Sequence, residues 1–165
     1  MLGYDEQHKF FTDGDKYQDL YLLFARSRYL TFRAREKELQ RFGLTPEQAQ
    51  VLFIIQNIKD KATPAEISRY ILRQPHSVSA IVDRMVKKGL VTKVKDLERK
   101  NMVRVAVTAQ GQKAFELSKK RTSMKNILSA LTESQREDFR KYLDIVMTRA
   151  RQELGMDRDN LPSSD

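Results

Sequence analysis

The sequence predicts a mainly α-helical protein carrying one small β-hairpin. Apolar residues recur at helical spacing over most of the 165 residues. Three threonines, Thr45, Thr63 and Thr132, stand as N-caps at places where that periodicity restarts. One run alone alternates with period two: Val103, Val105 and Val107 are separated by Arg104 and Ala106, as in a half-buried strand.

Residues 1–15 form a polar, partly acidic arm, unlike a signal peptide. From Lys16 to about Arg41 the pattern Tyr17, Leu20, Tyr21, Leu23, Phe24, Leu30, Ala34, Leu39 predicts one long helix, closed by Gly43. Residues 16–44 are therefore assigned to an N-terminal dimerisation helix. Thr45-Pro46-Glu47-Gln48 has a cap, a proline at the first helical position and Gln48 at N3. The helix it starts, to about Lys59, is almost wholly apolar from Ala49 to Ile58, Phe53 included, so deep burial is expected. Thr63, Pro64 and Glu66 repeat the cap, proline and capping-box signal. Ala65, Ile67, Tyr70, Ile71 and Leu72 supply an apolar face for a short helix.

Gln74-Pro75 interrupts that helix, because the residue before a proline is pushed away from helical dihedrals. Pro75 starts the next, in which Val78, Ile81, Val82, Met85 and Val86 are expected to face the core, and Gly89 is its C′ residue. Leu90–Lys95 and Met102–Val107 are strand-like and flank the charged loop Asp96–Asn101. Residues 45–108 thus read as a helix-turn-helix lobe with a hairpin wing. Thr108 caps a predicted long helix from Ala109 to about Leu131. Thr132-Glu133-Ser134-Gln135 is a capping box opening a last helix that ends at Gly155. Residues 109–154 are read as C-terminal dimerisation helices and 155–165 as a flexible tail.

A winged helix-turn-helix places its second helix in the major groove of DNA. The exposed start of that helix is short and polar, which lets backbone approach base edges: Gln74, His76, Ser77 and Ser79 are the candidate base contacts. Arg73 and Arg84 are candidate phosphate contacts. Lys87 and Lys88 are weaker ones, since they also suit the negative end of the helix dipole. Arg99 and Lys100 in the wing are candidates for the minor groove. Taken alone, such residues more often make up a solvated helix face and a soluble turn. Charge distribution turns the balance. Residues 61–125 hold 16 Lys/Arg against 5 Asp/Glu, so the whole net charge of +9 arises in the segment that reads as winged helix. A basic patch there is the footprint of phosphate binding.

The order of elements, the run IVDRMVKKGLV, the strand pair and the closing VTAQG resemble the MarR family of winged-helix transcription regulators, over about Lys16 to Leu154. The family's wing carries a D-x-x-D-x-R-like run. Asp96 matches its first position, but Arg99 and Asn101 replace the later Asp and Arg, so Arg99 or Lys100 must substitute. The resemblance implies a homodimer, probed independently by amphipathic terminal helices too numerous to bury within one short chain. Two recognition helices about one DNA turn apart imply a pseudo-palindromic operator. It also implies a small-molecule effector, often aromatic or anionic, between the dimer region and the DNA lobe. Tyr17, Tyr21, Phe24 and Tyr29, beside Arg28, are aromatic residues that can line such a pocket or form an interface.

Other chemistry finds little footing. The chain has no cysteine and two histidines, His8 and His76, neither set among carboxylates and nucleophiles in a recognisable spacing. No catalytic residue, metal or cofactor is expected, no stretch approaches the roughly 20 apolar residues of a membrane span, and a cytoplasmic location is expected. The competing reading is a winged-helix protein-interaction module without specific DNA binding. Such a module has no need of the cationic segment.

Overall fold

The computed structural model describes residues 15–95 and 103–156. Helix α1 spans Lys16–Gln40, with Asp15 accepting from the Tyr17 N–H as N-cap. Helix α2 spans Pro46–Ile58, and a single 3-10 turn, Lys59–Lys61, follows it. The pair α3, Pro64–Ile71, and α4, Pro75–Lys87, forms the helix-turn-helix. Strands β1, Val91–Lys95, and β2, Val103–Val107, pair antiparallel with Val91 opposite Val107 and Lys95 opposite Val103. Helices α5, Ala109–Ser118, α6, Thr122–Leu128, and α7, Glu133–Glu153, complete the described chain.

Most boundaries follow from the signals the sequence displays. Thr45 and Thr132 form complete capping boxes with Gln48 and Gln135. Thr63 accepts from the Glu66 N–H at 3.1 Å, but Glu66 does not reach back: its carboxylate pairs with Arg69 at 2.7 Å instead, so this box is half made. Gly43 and Gly89 both have positive φ and both sit at C′ of a Schellman motif. The Leu44 N–H reaches Leu39 O at 3.2 Å, and the Leu90 N–H reaches Met85 O at 2.9 Å.

The core lies in the lobe. Val51 and Leu52 of α2, Ile67 of α3, and Val78, Val82 and Met85 of α4 are fully buried, with Leu39, Leu44, Leu90, Val91 and Val105 closing around them. Each such side chain contributes roughly 1.5–3 kcal/mol by leaving water. The Val105 N–H donates to Ala62 O at 2.7 Å, so the segment before α3 covers the outer edge of β2.

Several expected inward residues face out. Val86 is exposed because the helical stripe on α4 closes with Met85, and Ala65, Tyr70 and Leu72 of the α3 segment are also exposed. Phe53 lies at the edge of α2, 45% exposed. The predicted long helix from Ala109 to Leu131 is broken in two. Arg121 takes a left-handed conformation at φ 48°, and α6 starts afresh after it. No residue of α7 is buried, and of α1 only Leu39 is.

Candidate nucleic-acid interface

The turn between α3 and α4 fixes the presentation of the second helix. Leu72 ends α3 at φ 52°, the position a glycine usually takes, and the Arg73 N–H donates to Ser68 O at 3.2 Å. Gln74 is extended, as a residue before proline must be, and its carbonyl accepts from the Ser77 N–H at 3.0 Å. The Gln74 side chain makes no capping bond, and no acidic residue stands in the first turn of α4. The positive end of this helix therefore faces solvent with a long amide side chain beside it, which suits a polyanion.

Gln74, His76 and Arg84 are exposed, whereas Ser77 and Ser79 are half-buried on the flanks of the same helix. Arg73 is exposed but turned toward α2, with Nη2 3.5 Å from a Glu47 carboxylate oxygen. Lys87 is exposed. Lys88 folds back onto the lobe, donating to Gly43 O at 3.1 Å and Gln48 Oε1 at 3.4 Å, so it joins the ends of α1 and α4. Arg99 and Lys100 lie outside the described residues.

The sequence reading missed a contact that orients this surface. Lys93 of β1 meets Asp83 of α4 at 2.5 Å, tying the wing's first strand to the solvent side of the second helix. Both groups are well exposed, so the pair guides geometry more than it stabilises.

Residues 42–100 match the sequence model of the MarR family. Over those residues the winged-helix lobe is similar to the MarR family. Solved structures extend the likeness beyond the lobe, to as much as 88% of the chain. The ligand-free crystal structure of the organohalide-sensing regulator RdhR superposes with a TM-score of 0.75 at 28% identity, covering 88% of each chain. The form of that regulator bound to 2,4-dichlorophenol gives 0.72 at 29% identity over 81% of this chain and 78% of the other. A mutant of E. coli MarR complexed with operator DNA gives 0.74 over 82% of this chain and 98% of the other; at 20% identity that likeness is one of fold. No curated protein matches the chain significantly.

A cavity of about 200 Å³ opens between α1, α2 and α5, lined among others by Arg35, Phe53, Phe115, Ser118 and Arg121. Tyr17, Tyr21, Phe24 and Tyr29 do not line it: they lie exposed along the N-terminal part of α1. The cavity walls carry both aromatic and cationic groups, and the Arg121 guanidinium lies 5.4 Å from the Phe53 ring centroid. Beside it, Glu38 of α1 accepts from the Thr122 N–H at 2.8 Å, the Ser123 N–H at 3.2 Å and the Ser123 hydroxyl at 2.5 Å. Burial pushes the Glu38 carboxyl up, but the hydrogen bonds from Ser123, Arg35 and the two N–H groups outweigh it and hold the pKa at about 2.

Proposed function

We propose that the protein is a homodimeric transcription regulator, acting in the cytoplasm as a ligand-responsive repressor, that binds pseudo-palindromic duplex DNA through α4 and the wing. One observation carries this reading. The second helix of a MarR-family lobe presents an uncapped, acid-free N-terminus flanked by exposed Gln74, His76 and Arg84, inside the segment that holds the chain's whole cationic excess. Gln74, His76, Ser77 and Ser79 approach base edges, while Arg73 and Arg84 meet phosphates. Arg73 must first leave Glu47, a weak pair at 3.5 Å. Arg99 and Lys100 serve the wing.

Dimerisation is supported by the open apolar faces of α1 and α7, and operator binding by the complex of MarR with its operator. The effector is proposed to occupy the cavity between α1, α2 and α5. Its two arginines and two phenylalanines suit a small aromatic anion, and RdhR with 2,4-dichlorophenol supports that chemistry. No catalytic role is proposed.

The test is a mobility-shift titration of the full chain against DNA upstream of its own coding sequence, at several salt concentrations and with random DNA as competitor. Specific binding that falls steeply with salt is expected. Binding that random DNA abolishes equally well, or no binding at low salt, overturns the reading.

A further inference from the structure

The break between α5 and α6 is a potential free joint, and α1 closes it. Helix α5 is anchored in the lobe. The Thr108 hydroxyl donates to Gly89 O at 2.5 Å, and Gly111 packs directly on the Leu90 carbonyl. Helix α6 leads through a short turn into α7. Between α5 and α6, Lys119 to Arg121 leave the helical path, with Arg121 left-handed. A break of this kind frees carbonyls on one side and N–H groups on the other. Both sets find partners on a single turn of α1. Arg35 Nη2 donates to Ser118 O at 2.7 Å, at the end of α5. Glu38 takes the Thr122 and Ser123 N–H groups and the Ser123 hydroxyl, at the start of α6. Arg35 and Glu38 are themselves paired at 2.9 Å, with side chains only 16% and 10% exposed.

We infer that the Arg35–Glu38 pair is a latch that sets the angle between the DNA lobe and the α6–α7 arm, and that both are positioning residues for operator binding. The inference rests on the proposed dimeric DNA-binding function. Its leverage comes from length. At about 1.5 Å per residue α7 extends roughly 30 Å, so a swing of about 10° at the joint displaces its far end by about 5 Å. Two recognition helices must match a spacing of about 34 Å on DNA. An error of that size in each protomer takes one of them out of register. The latch also borders the cavity through Arg35, Ser118 and Arg121. A negatively charged occupant there competes with Glu38 for Arg35, which gives ligand binding a route to the joint.

The chain has no native cysteine, so spin labels can be placed at will. Cysteines substituted for the exposed residues Lys113 of α5 and Lys141 of α7 report the lobe-to-arm distance by pulsed electron resonance. Labelled chain is diluted with unlabelled chain, so that distances within a protomer dominate. Expected for Glu38→Gln is a distance distribution broadened or shifted by several ångströms, with operator affinity at least tenfold weaker and an unchanged dimer mass. Val51→Ala, which loosens the lobe core without altering a latch residue or a cavity-lining residue, serves as the control for lowered stability. Its distance distribution is expected to match the wild type. An unaltered distribution in Glu38→Gln, or an equal change in Val51→Ala, overturns the latch. A changed distribution in a protein whose wild type binds no specific DNA instead overturns the proposed function, and with it the role in operator binding, while the pair still sets the lobe-to-arm angle.

Discussion

Replacing Glu38 by glutamine should alter how stability depends on pH, with a sign fixed by the structure. The carboxyl has an ordinary value of 4.5 and is held at about 2 in the fold. A depressed carboxyl contributes stability that is fully present above its unfolded value and is lost as pH falls toward its folded value. The shift of about 2.5 units corresponds to roughly 3 kcal/mol. At about pH 3 the unfolded chain is mostly protonated at this position and the folded chain mostly not, so roughly 2 kcal/mol of that contribution is already gone. Every other carboxylate also titrates in this range, which makes the wild-type curve alone uninformative. The useful quantity is the difference in unfolding free energy between wild type and Glu38→Gln, measured by denaturant titration at about pH 6 and about pH 3. The wild type should lead by a margin that shrinks by roughly 2 kcal/mol on acidification. A margin independent of pH, or one that grows at low pH, refutes the view that Glu38 works as an ionised cap.

Three further substitutions test other parts of the fold. Gly111→Ala puts a methyl group 1.9 Å from Leu90 O. Ala is better than Gly in a helix by about 1 kcal/mol, but a clash with backbone is worth about 3 kcal/mol or more, so thermal unfolding should show a severely destabilised or unfolded chain. Lys59→Gly should raise the melting temperature by a few degrees. Exposed Lys59 sits at φ 46°, ψ −116°, a conformation worth about 1–3 kcal/mol of strain in any residue with a Cβ, against about 0.5–1 kcal/mol of added chain entropy for glycine. Arg84→Ala should weaken operator and random DNA alike and reduce the slope of log affinity against log salt by about one. Gln74→Ala should leave that slope intact and relax sequence preference by about 1–3 kcal/mol at one position.

Where helices start and stop was legible because caps are local: Thr45, Thr132, Gly43 and Gly89 each act within a few residues of themselves. The break after Ser118 was not legible, because the groups that satisfy it belong to Arg35 and Glu38, more than 80 residues earlier. In sequence, Ser118, Thr122 and Ser123 are weak helix formers, a hint that became decisive only once a carboxylate stood opposite them. Val86 misled for a related reason. Helical spacing places it beside Met85, but the buried stripe of α4 is narrow and the neighbouring position looks outward. At the candidate interface the exposure of Gln74, His76 and Arg84 followed from periodicity. The inward turn of Lys88 toward Gly43 and the pairing of Asp83 with Lys93 did not, since both depend on elements brought together only by folding.

The uncovered helices give the last prediction. Tyr17, Leu20 and Tyr21 of α1 and Tyr142 and Ile145 of α7 are each more than 60% exposed in the isolated protomer, along helices whose other faces are charged. Scattered apolar residues on a surface need no explanation, but a stripe continuing along two long helices marks a contact. Ile145 is 65% exposed, so covering it gains roughly 1–2 kcal/mol per protomer, and a two-fold interface counts every residue twice. Ile145→Glu removes that gain and places two carboxylates in an apolar seam. Together these should weaken dimerisation by about 3 kcal/mol or more, over a hundredfold in dissociation constant. Sedimentation equilibrium at micromolar concentration should then show monomer where the wild type is dimer. Helical content should persist, because no core residue of the lobe lies on α7. Operator affinity should collapse in parallel, since one lobe alone makes half the phosphate contacts. A variant that remains fully dimeric would place the interface elsewhere. A monomer that still holds operator DNA at wild-type affinity would break the link between the two-fold assembly and recognition.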